Sequence, residues 1–417
     1  MVQQPGSMPP NNNSGRRLLI VTESLGVGGT ESHLIRTLPR IAASGWDVVT
    51  FCLTERGERA EQIEKAGVEV CASPRLARRK GSVLRYPAHV ILATNKLYRL
   101  MRRWRPDIAH FYLPGPYLIG AHVAIAARVP VKIMSRRSLS DYQRNWPLVA
   151  KLERRLHTQM DAVIGNSKAV VRQLIEEGIP EAKVRLIYNG IEVSRALPDR
   201  AEARRALGIA DDTLVGVVIA NLIHYKGHRE LVRGLSHLEQ ELPVDWRVLV
   251  AGRDHGIRAE LEALAAARGI SHRIQFLGEY SDIPGLLAAA DFGLLTSREE
   301  GFSNVILEGM AAGLAMIVTD VGGNTEAVIH AQTGFVVPPR DPKAISDAII
   351  TLARDPEARK RLGAAARKRV EEQFSIDKCV KAHADLYEDM LDKIDARRGV
   401  ANHQIAPKVS GRRRALS

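Results

Sequence analysis

With 417 residues, 45% of them apolar, the chain is long enough for two cores of ordinary size, because a single core stops growing well before that length. Its three cysteines, Cys52, Cys71 and Cys379, are read as having no close pair and no histidine partner at ligand spacing, which argues against a disulfide framework or a zinc module and for a reducing compartment. The net charge of +13 is confined to one half: residues 1–195 hold 30 Lys and Arg against 16 Asp and Glu, a net +14, whereas residues 196–417 hold 30 against 31.

The first fifteen residues are rich in Pro, Asn, Gly and Ser and are expected to be a disordered tail. The apolar run Leu18–Val21 that follows is too short for a secretory core, and no run approaches bilayer length. A cytoplasmic location is therefore expected. Strand-length apolar runs then alternate with amphipathic helical patterns: Leu18–Val21, Asp47–Cys52, Val68–Cys71, Ile108–Phe111, Val131–Met134, Ala162–Ile164 and Val184–Ile187. After the polar stretch Arg195–Gly208 the alternation restarts with Leu214–Ala220, Trp246–Ala251, Ile274–Leu277, Phe292–Thr296, Ala315–Val318 and Phe335–Val337. The pattern predicts α/β architecture with two parallel-sheet domains, 16–195 and 196–374, facing across a cleft. A last helix at 375–396 is expected to cross back to the first domain, followed by a disordered basic tail at 397–417.

Within the first half, Arg75–Arg105 contains ten basic residues and no acid, interleaved with Leu84, Tyr86, Val90, Ile91, Leu97, Tyr98, Leu100, Met101 and Trp104. Two readings fit: a solvated helix face, or an amphipathic surface for an anionic membrane. The basic half lacks any helix-turn-helix, RNA-recognition or zinc signature, so nucleic acid is not an expected partner.

Three constellations carry chemistry. Gly26-Val27-Gly28-Gly29-Thr30-Glu31 joins the first strand to the first helix, where glycines let a phosphate approach the backbone; the alternative is a tight turn that needs positive φ. The spacing is not that of a dinucleotide fingerprint. The segment from Thr296 through Glu300, Gly301, Phe302, Ser303, Asn304 and Val305 to Glu308 places a loop with acids before a helix whose first N–H groups can hold a diphosphate, with the Ser303 hydroxyl as a cap. Glu300 and Glu308 can each accept hydrogen bonds from hydroxyl groups of one sugar nucleotide. Lys226, in the loop Asn221–His228, faces the same crevice and can neutralise a leaving diphosphate.

At these residues the chain resembles the family-four retaining glycosyltransferases of the GT-B fold, from about Arg17 to Ile394. Matching features are Gly28-Gly29-Thr30-Glu31, Pro106–His110, Asn166-Ser167-Lys168, Tyr188-Asn189-Gly190-Ile191, Lys226-Gly227-His228, Phe276-Leu277-Gly278, Glu300 with Glu308, Val321–Asn324 with Glu326, and Thr333–Val337. The resemblance implies two Rossmann-like domains, and hexose transfer from a UDP- or GDP-sugar with retention, without metal or other cofactor. The charge asymmetry, and not the resemblance, suggests the acceptor: a basic first half fits a glycan or lipid-linked molecule of cell-surface polysaccharide or lipopolysaccharide synthesis, anchored at the inner membrane face and reached by a peripheral enzyme. The resemblance assigns Glu300 to the hexose, Glu308 to the ribose, Lys226 and the backbone of Gly301–Val305 to the diphosphate, and Gly28 and Gly29 to the β-phosphate; Gly278 belongs to the same donor site. Two positions depart from the family: Asn221 stands where an Arg is usual, with His224 as the nearest substitute, and Ser135-Arg136-Arg137-Ser138 lacks a usual His, so Arg137 is expected to take over its contact. A UDP-sugar epimerase of the same fold is the alternative. For transfer, Glu300→Ala is expected to abolish activity with little change in the thermal transition.

Overall fold

The computed structural model describes residues 16–73, 85–139, 143, 146–193 and 197–404. The expected tail at 1–15, the basic residues Arg75, Arg78, Arg79 and Lys80, and the chain beyond 404 lie outside the described residues.

Strands β1 (Arg16–Thr22), β2 (Trp46–Cys52), β3 (Glu69–Ala72), β4 (Ile108–Tyr112), β5 (Val131–Arg136), β6 (Ala162–Gly165) and β7 (Val184–Leu186) form one parallel sheet in the order β3-β2-β1-β4-β5-β6-β7. The second sheet holds β8 (Leu214–Ile219), β9 (Trp246–Ala251), β10 (Ile274–Gly278), β11 (Phe292–Leu295), β12 (Ala315–Thr319) and β13 (Gly334–Val337) in the order β10-β9-β8-β11-β12-β13. Both orders reverse beside the first strand, which makes each half a Rossmann-like domain with its crevice at the carboxyl ends of β1 and β4 or of β8 and β11. These strands are Val-, Ile- and Leu-rich because helices cover both faces. In β1, Leu19 and Val21 enter one core and Leu18 and Ile20 the other, the period of two that a pleated strand imposes.

The polar stretch Arg195–Gly208 is not purely a connector. Asp199 caps the helix Arg200–Ala206 through its side chain, and Arg204, only 1% exposed, is held by the Asp291 carboxylate at 2.8 Å and by the carbonyls of Ala289, Ala210, Asp211 and Thr213. The final helix, Ile376–Gln404, packs along the helix Gly29–Ala43, and its Tyr387, Leu386 and Met390 complete a core of the first half. It runs through 397–404, where a disordered tail was expected; no proline interrupts the sequence before Pro407, so nothing stops helical hydrogen bonding at Arg397. The chain thus passes between the halves twice, and the passages lie side by side: Ile191 N–H donates to the Phe374 carbonyl and Ile376 N–H to the Ile191 carbonyl, both at 2.9 Å.

The basic helix Arg85–Trp104 buries much of the apolar set that suggested a membrane surface. Leu97, Leu100, Met101 and Trp104 belong to the core, while Ile91, Leu92 and Tyr98 stay exposed.

Candidate functional site

Because β8 and β11 are hydrogen-bonded neighbours at the reversal of strand order, the loops leaving their carboxyl ends are adjacent. Lys226 follows β8 and Glu300 follows β11, and Lys226 Nζ donates to Glu300 Oε1 at 2.6 Å, with Ser297 Oγ donating to the same oxygen at 2.7 Å. Gly227 makes the approach feasible: its φ is +72°, and a Cβ there would overlap the Thr296 carbonyl. Burial, the largest influence on Lys226, works to lower its pKa, but the Glu300 carboxylate and the Tyr225 hydroxyl outweigh it and the net shift is upward. Lys226 is thereby kept a cation.

The helix after Glu300 spans Asn304–Ala311. Ser303 occupies the N-cap position, but its hydroxyl makes no cap bond, contrary to expectation. Ser167, Asp282 and Asp341 at other helix starts do accept from the first turn. At Ser303 the first-turn N–H groups therefore lack the local acceptor that elsewhere satisfies one of them. Phe302 is 4% exposed and packs on Tyr188 and Phe374 with ring centroids 5.0 and 5.3 Å away, so its side chain is core. Val305 is half-buried in the first turn.

The other half meets this loop closely. A Cβ on Gly301 would overlap the Arg137 carbonyl, so only glycine permits this backbone approach. Asn189 ties three expected residues together: its Nδ2 donates at 2.8 Å to the Phe302 carbonyl and to Asn304 Oδ1, and its Oδ1 accepts from Arg137 Nη2 at 2.7 Å. Asn304 Nδ2 in turn donates to the Gly29 carbonyl at 3.0 Å. The glycine loop therefore abuts the helix start. None of Gly26, Gly28 and Gly29 has a left-handed φ, and Gly28 is fully extended at −179°, so the tight-turn explanation of these glycines fails. Gly29 instead opens toward the cleft, where a Cβ would meet only Asn304 Nδ2 at 3.9 Å.

Glu308 is not free: Arg36 Nη2, from the first half, donates to its Oε1 at 2.6 Å. Arg36 was missed because nothing in its helical pattern separates it from a surface cation. Burial, above all, lowers the pKa of Arg137, although Tyr112, Cys379 and Glu31 raise it.

Two expected donor contacts stand apart from the Lys226–Glu300 pair. Asn221 is exposed, and its Oδ1 accepts from Arg253 N–H at 3.1 Å. His224 lines a separate cavity of about 170 Å³ with His228, Arg229, Ile257, Glu260, Leu261 and Arg298. Gly278, at the end of β10, has φ +69°, a conformation that favours glycine, and open space where a Cβ would lie. A second latch between the halves was visible only as a motif residue: Glu326 accepts the N–H groups of Lys168 and Ala169 at 2.8 and 3.0 Å and the Tyr188 hydroxyl at 2.8 Å. One expectation is overturned beside Arg137. Cys379 does have a histidine partner, His383, one helical turn on, with His33 facing both.

Comparison with known proteins agrees with this architecture. The pattern described as "Glycosyl transferases group 1" matches residues 199–369 and "Glycosyltransferase Family 4" matches 27–195. The chain is 28% identical to N-acetyl-alpha-D-glucosaminyl L-malate synthase of Bacillus anthracis, over 74% of this chain and 82% of that protein. It is 33% identical to the lipopolysaccharide core biosynthesis mannosyltransferase LpsB of Rhizobium meliloti (strain 1021), over 56% of this chain and 67% of the relative. Among solved structures, Anabaena Alr3699/HepE in complex with UDP-glucose superposes with a TM-score of 0.77 at 22% identity, covering 89% of this chain and 99% of that one. With two facing Rossmann-like domains and both halves matched, the chain belongs to the family-four, group 1 glycosyltransferases of the GT-B fold.

Proposed function

We propose that the protein transfers a hexose from a UDP- or GDP-sugar to a lipid-linked or lipopolysaccharide-type acceptor, with retention and without a metal ion. The observation that carries this reading is the Lys226–Glu300 pair beside the uncapped start of helix Asn304–Ala311. A diphosphate placed there meets first-turn N–H groups and the Lys226 ammonium, which together offset its charge as the leaving group departs. Glu300 then accepts from a hexose hydroxyl. Glu308 accepts from the ribose with Arg36 as its second partner, while Gly28 and Gly29 close over the β-phosphate and Arg137 orients the acceptor side.

In the proposed step the acceptor oxygen bonds to the anomeric carbon on the face the diphosphate leaves. The electron pair of the breaking C–O bond goes to the β-phosphate oxygen, and a β-phosphate oxygen takes the acceptor proton. No nucleophile of the protein is consumed.

Support for a membrane-borne acceptor lies on the first half. Helices Arg85–Trp104, Pro114–Ala127 and Pro147–His157 pack side by side, and their outer faces expose Ile91, Tyr98, Ile125, Trp146, Leu148 and Leu152 among Arg99, Arg102, Lys151, Arg154 and Arg155. The only acid on the three helices, Glu153, is fully buried. Apolar side chains ringed by cations without exposed carboxylates suit an anionic lipid surface. LpsB, a relative named for lipopolysaccharide core biosynthesis, and the UDP-glucose complex of HepE point to the same acceptor and donor classes.

A thermal-shift series with UDP, GDP and their sugars tests the donor reading, since a ligand of the folded state raises Tm by mass action. A nucleoside diphosphate is expected to stabilise the wild type and not Lys226→Met; no shift with any of them refutes the assignment. Retention and metal independence are read from the anomeric coupling of the product and from transfer in the presence of a chelator.

A further inference from the structure

Cys379 and His383 stand four residues apart on the helix Ile376–Gln404, so their side chains share one face. His383 Nδ1 lies 3.8 Å from the Cys379 sulfur and 2.9 Å from the Cys379 carbonyl. His33, from the helix Gly29–Ala43 that packs against this face, completes a trio in which one sulfur and one nitrogen from each ring all lie within 4.8 Å of one another. His33 and His383 are each 2% exposed and Cys379 is 4% exposed.

The hydrogen bonding here is incomplete. Neither ring nitrogen of His33, nor Nε2 of His383, has a hydrogen-bond partner among the described residues. Burying a polar atom without a partner is unfavourable, so three in one place call for a ligand. Of the neighbouring polar groups, His110 is spent on the Tyr387 hydroxyl and Ser135 Oγ, both at 2.8 Å, and Arg137, which lies close to all three side chains, donates to Asn189 Oδ1 and makes no hydrogen bond to these nitrogens.

We propose that His33, Cys379 and His383 bind a zinc ion that fastens the first helix to the returning C-terminal helix. One thiolate with two imidazoles is a donor set of the softness zinc prefers, and it does not suit magnesium or calcium, which take oxygen ligands. Three protein ligands leave one position of a tetrahedron for water. On binding, the Cys379 thiol releases its proton to solvent as the sulfur–zinc bond forms, and the neutral imidazoles donate lone pairs; no electron is transferred. Zinc bonds of about 2.0–2.3 Å bring tetrahedral ligand atoms to roughly 3.3–3.7 Å apart, so a pair at the 4.8 Å limit would close by about 1–1.5 Å. The site does not include Lys226, Glu300 or Glu308; Arg137 lies beside it, so the proposal is read from metal uptake and not from transfer.

The test uses the full chain without a polyhistidine tag, stripped with a chelator and titrated with Co(II) as the optical stand-in for zinc. Saturation at about one cobalt per chain, with a thiolate-to-cobalt charge-transfer band in the near ultraviolet, is expected for the wild type. Cys379→Ser should lose the band, and His33→Gln and His383→Gln should weaken uptake. Zinc should displace cobalt and raise Tm. Absence of the band in stripped protein that keeps its wild-type circular dichroism overturns the proposal. So does a band that survives in Cys379→Ser, or uptake unchanged in both histidine variants.

Discussion

Replacing Glu300 by Gln keeps the shape of the side chain and its contact with Ser297 but leaves the Lys226 ammonium, 17% exposed, without the carboxylate 2.6 Å away. Removing one partner of a fully buried pair costs about 3–5 kcal/mol, and a charge-assisted hydrogen bond contributes about 1.5–3 kcal/mol. With both side chains slightly exposed, about 2 kcal/mol is the expected loss. For halves of this size that corresponds to a fall in Tm of about 4–8 °C. This loss is larger than the little change expected from sequence for Glu300→Ala, because the acid also neutralises a cation that burial disfavours. Transfer should fall by about 10²–10³ in kcat if Glu300 orients the hexose in the transition state. Lys226→Met in the same background removes the orphaned charge, so the double variant should recover part of the lost Tm while remaining inactive, with a coupling of about 1–2 kcal/mol. Calorimetry and nucleotide release on the four proteins of the cycle measure both quantities. If the double variant loses the sum of the single losses, the pair does not operate as a unit and the argument from the cleft geometry is wrong.

Gly301→Ala should hold the halves apart, because the new Cβ overlaps the Arg137 carbonyl. A larger radius of gyration by solution scattering and a drop in kcat/KM on the order of tenfold are expected, from about 1–3 kcal/mol of overpacking, and an unchanged profile would contradict the approach described. His157 is 1% exposed and faces Arg136, Glu153, Glu177 and Tyr117; Arg136 can only donate to its Nε2, so Nδ1 carries the hydrogen toward the Tyr117 hydroxyl. Burial first, and Arg136 second, push its pKa down to about 3. The unfolded chain then binds the extra proton, so this contribution is complete above the ordinary value near 6.5 and is lost as pH falls toward 3, about 2 kcal/mol by pH 5. His157→Gln should flatten that part of the urea-midpoint profile; a variant as acid-sensitive as the wild type would refute the assignment. Trp146→Ser with Leu148→Ser should reduce sedimentation with vesicles containing anionic lipid at low salt while leaving Tm unchanged, and undiminished binding would locate the lipid contact elsewhere.

The strands were legible to within a residue or two because a parallel strand covered on both faces must be a short apolar run, as Trp246–Ala251 is at both ends. Glu300, Lys226 and Gly301 were legible because they sit where such strands end. What sequence could not supply were pairings made across the cleft. Arg36 reads as one cation among many until the fold sets it on Glu308, and Asn189 acquires its bridging role only when β7's outgoing loop meets Phe302. Ser303 has the right residue type for a cap yet leaves the bond unmade, since rotamer choice depends on surroundings that spacing does not encode. Cys379 and His383, four residues apart, were legible as a pair and were overlooked, whereas His33, almost 350 positions away, joins them only where two helices meet face to face.

Any movement of one half against the other would have to turn on the paired passages at Ile191 and Phe374–Ile376, as on a hinge with two pins. A single linker would let one half swivel about any axis, whereas two segments laced to each other bend readily in one plane and resist torsion. Opening and closing should therefore follow one arc, returning Gly301 to Arg137 and Glu326 to the Lys168 helix in the same register each cycle. A chain cut before Ile376 would lose one pin together with Tyr387 from the opposite core, and both the path and the half it guides would suffer.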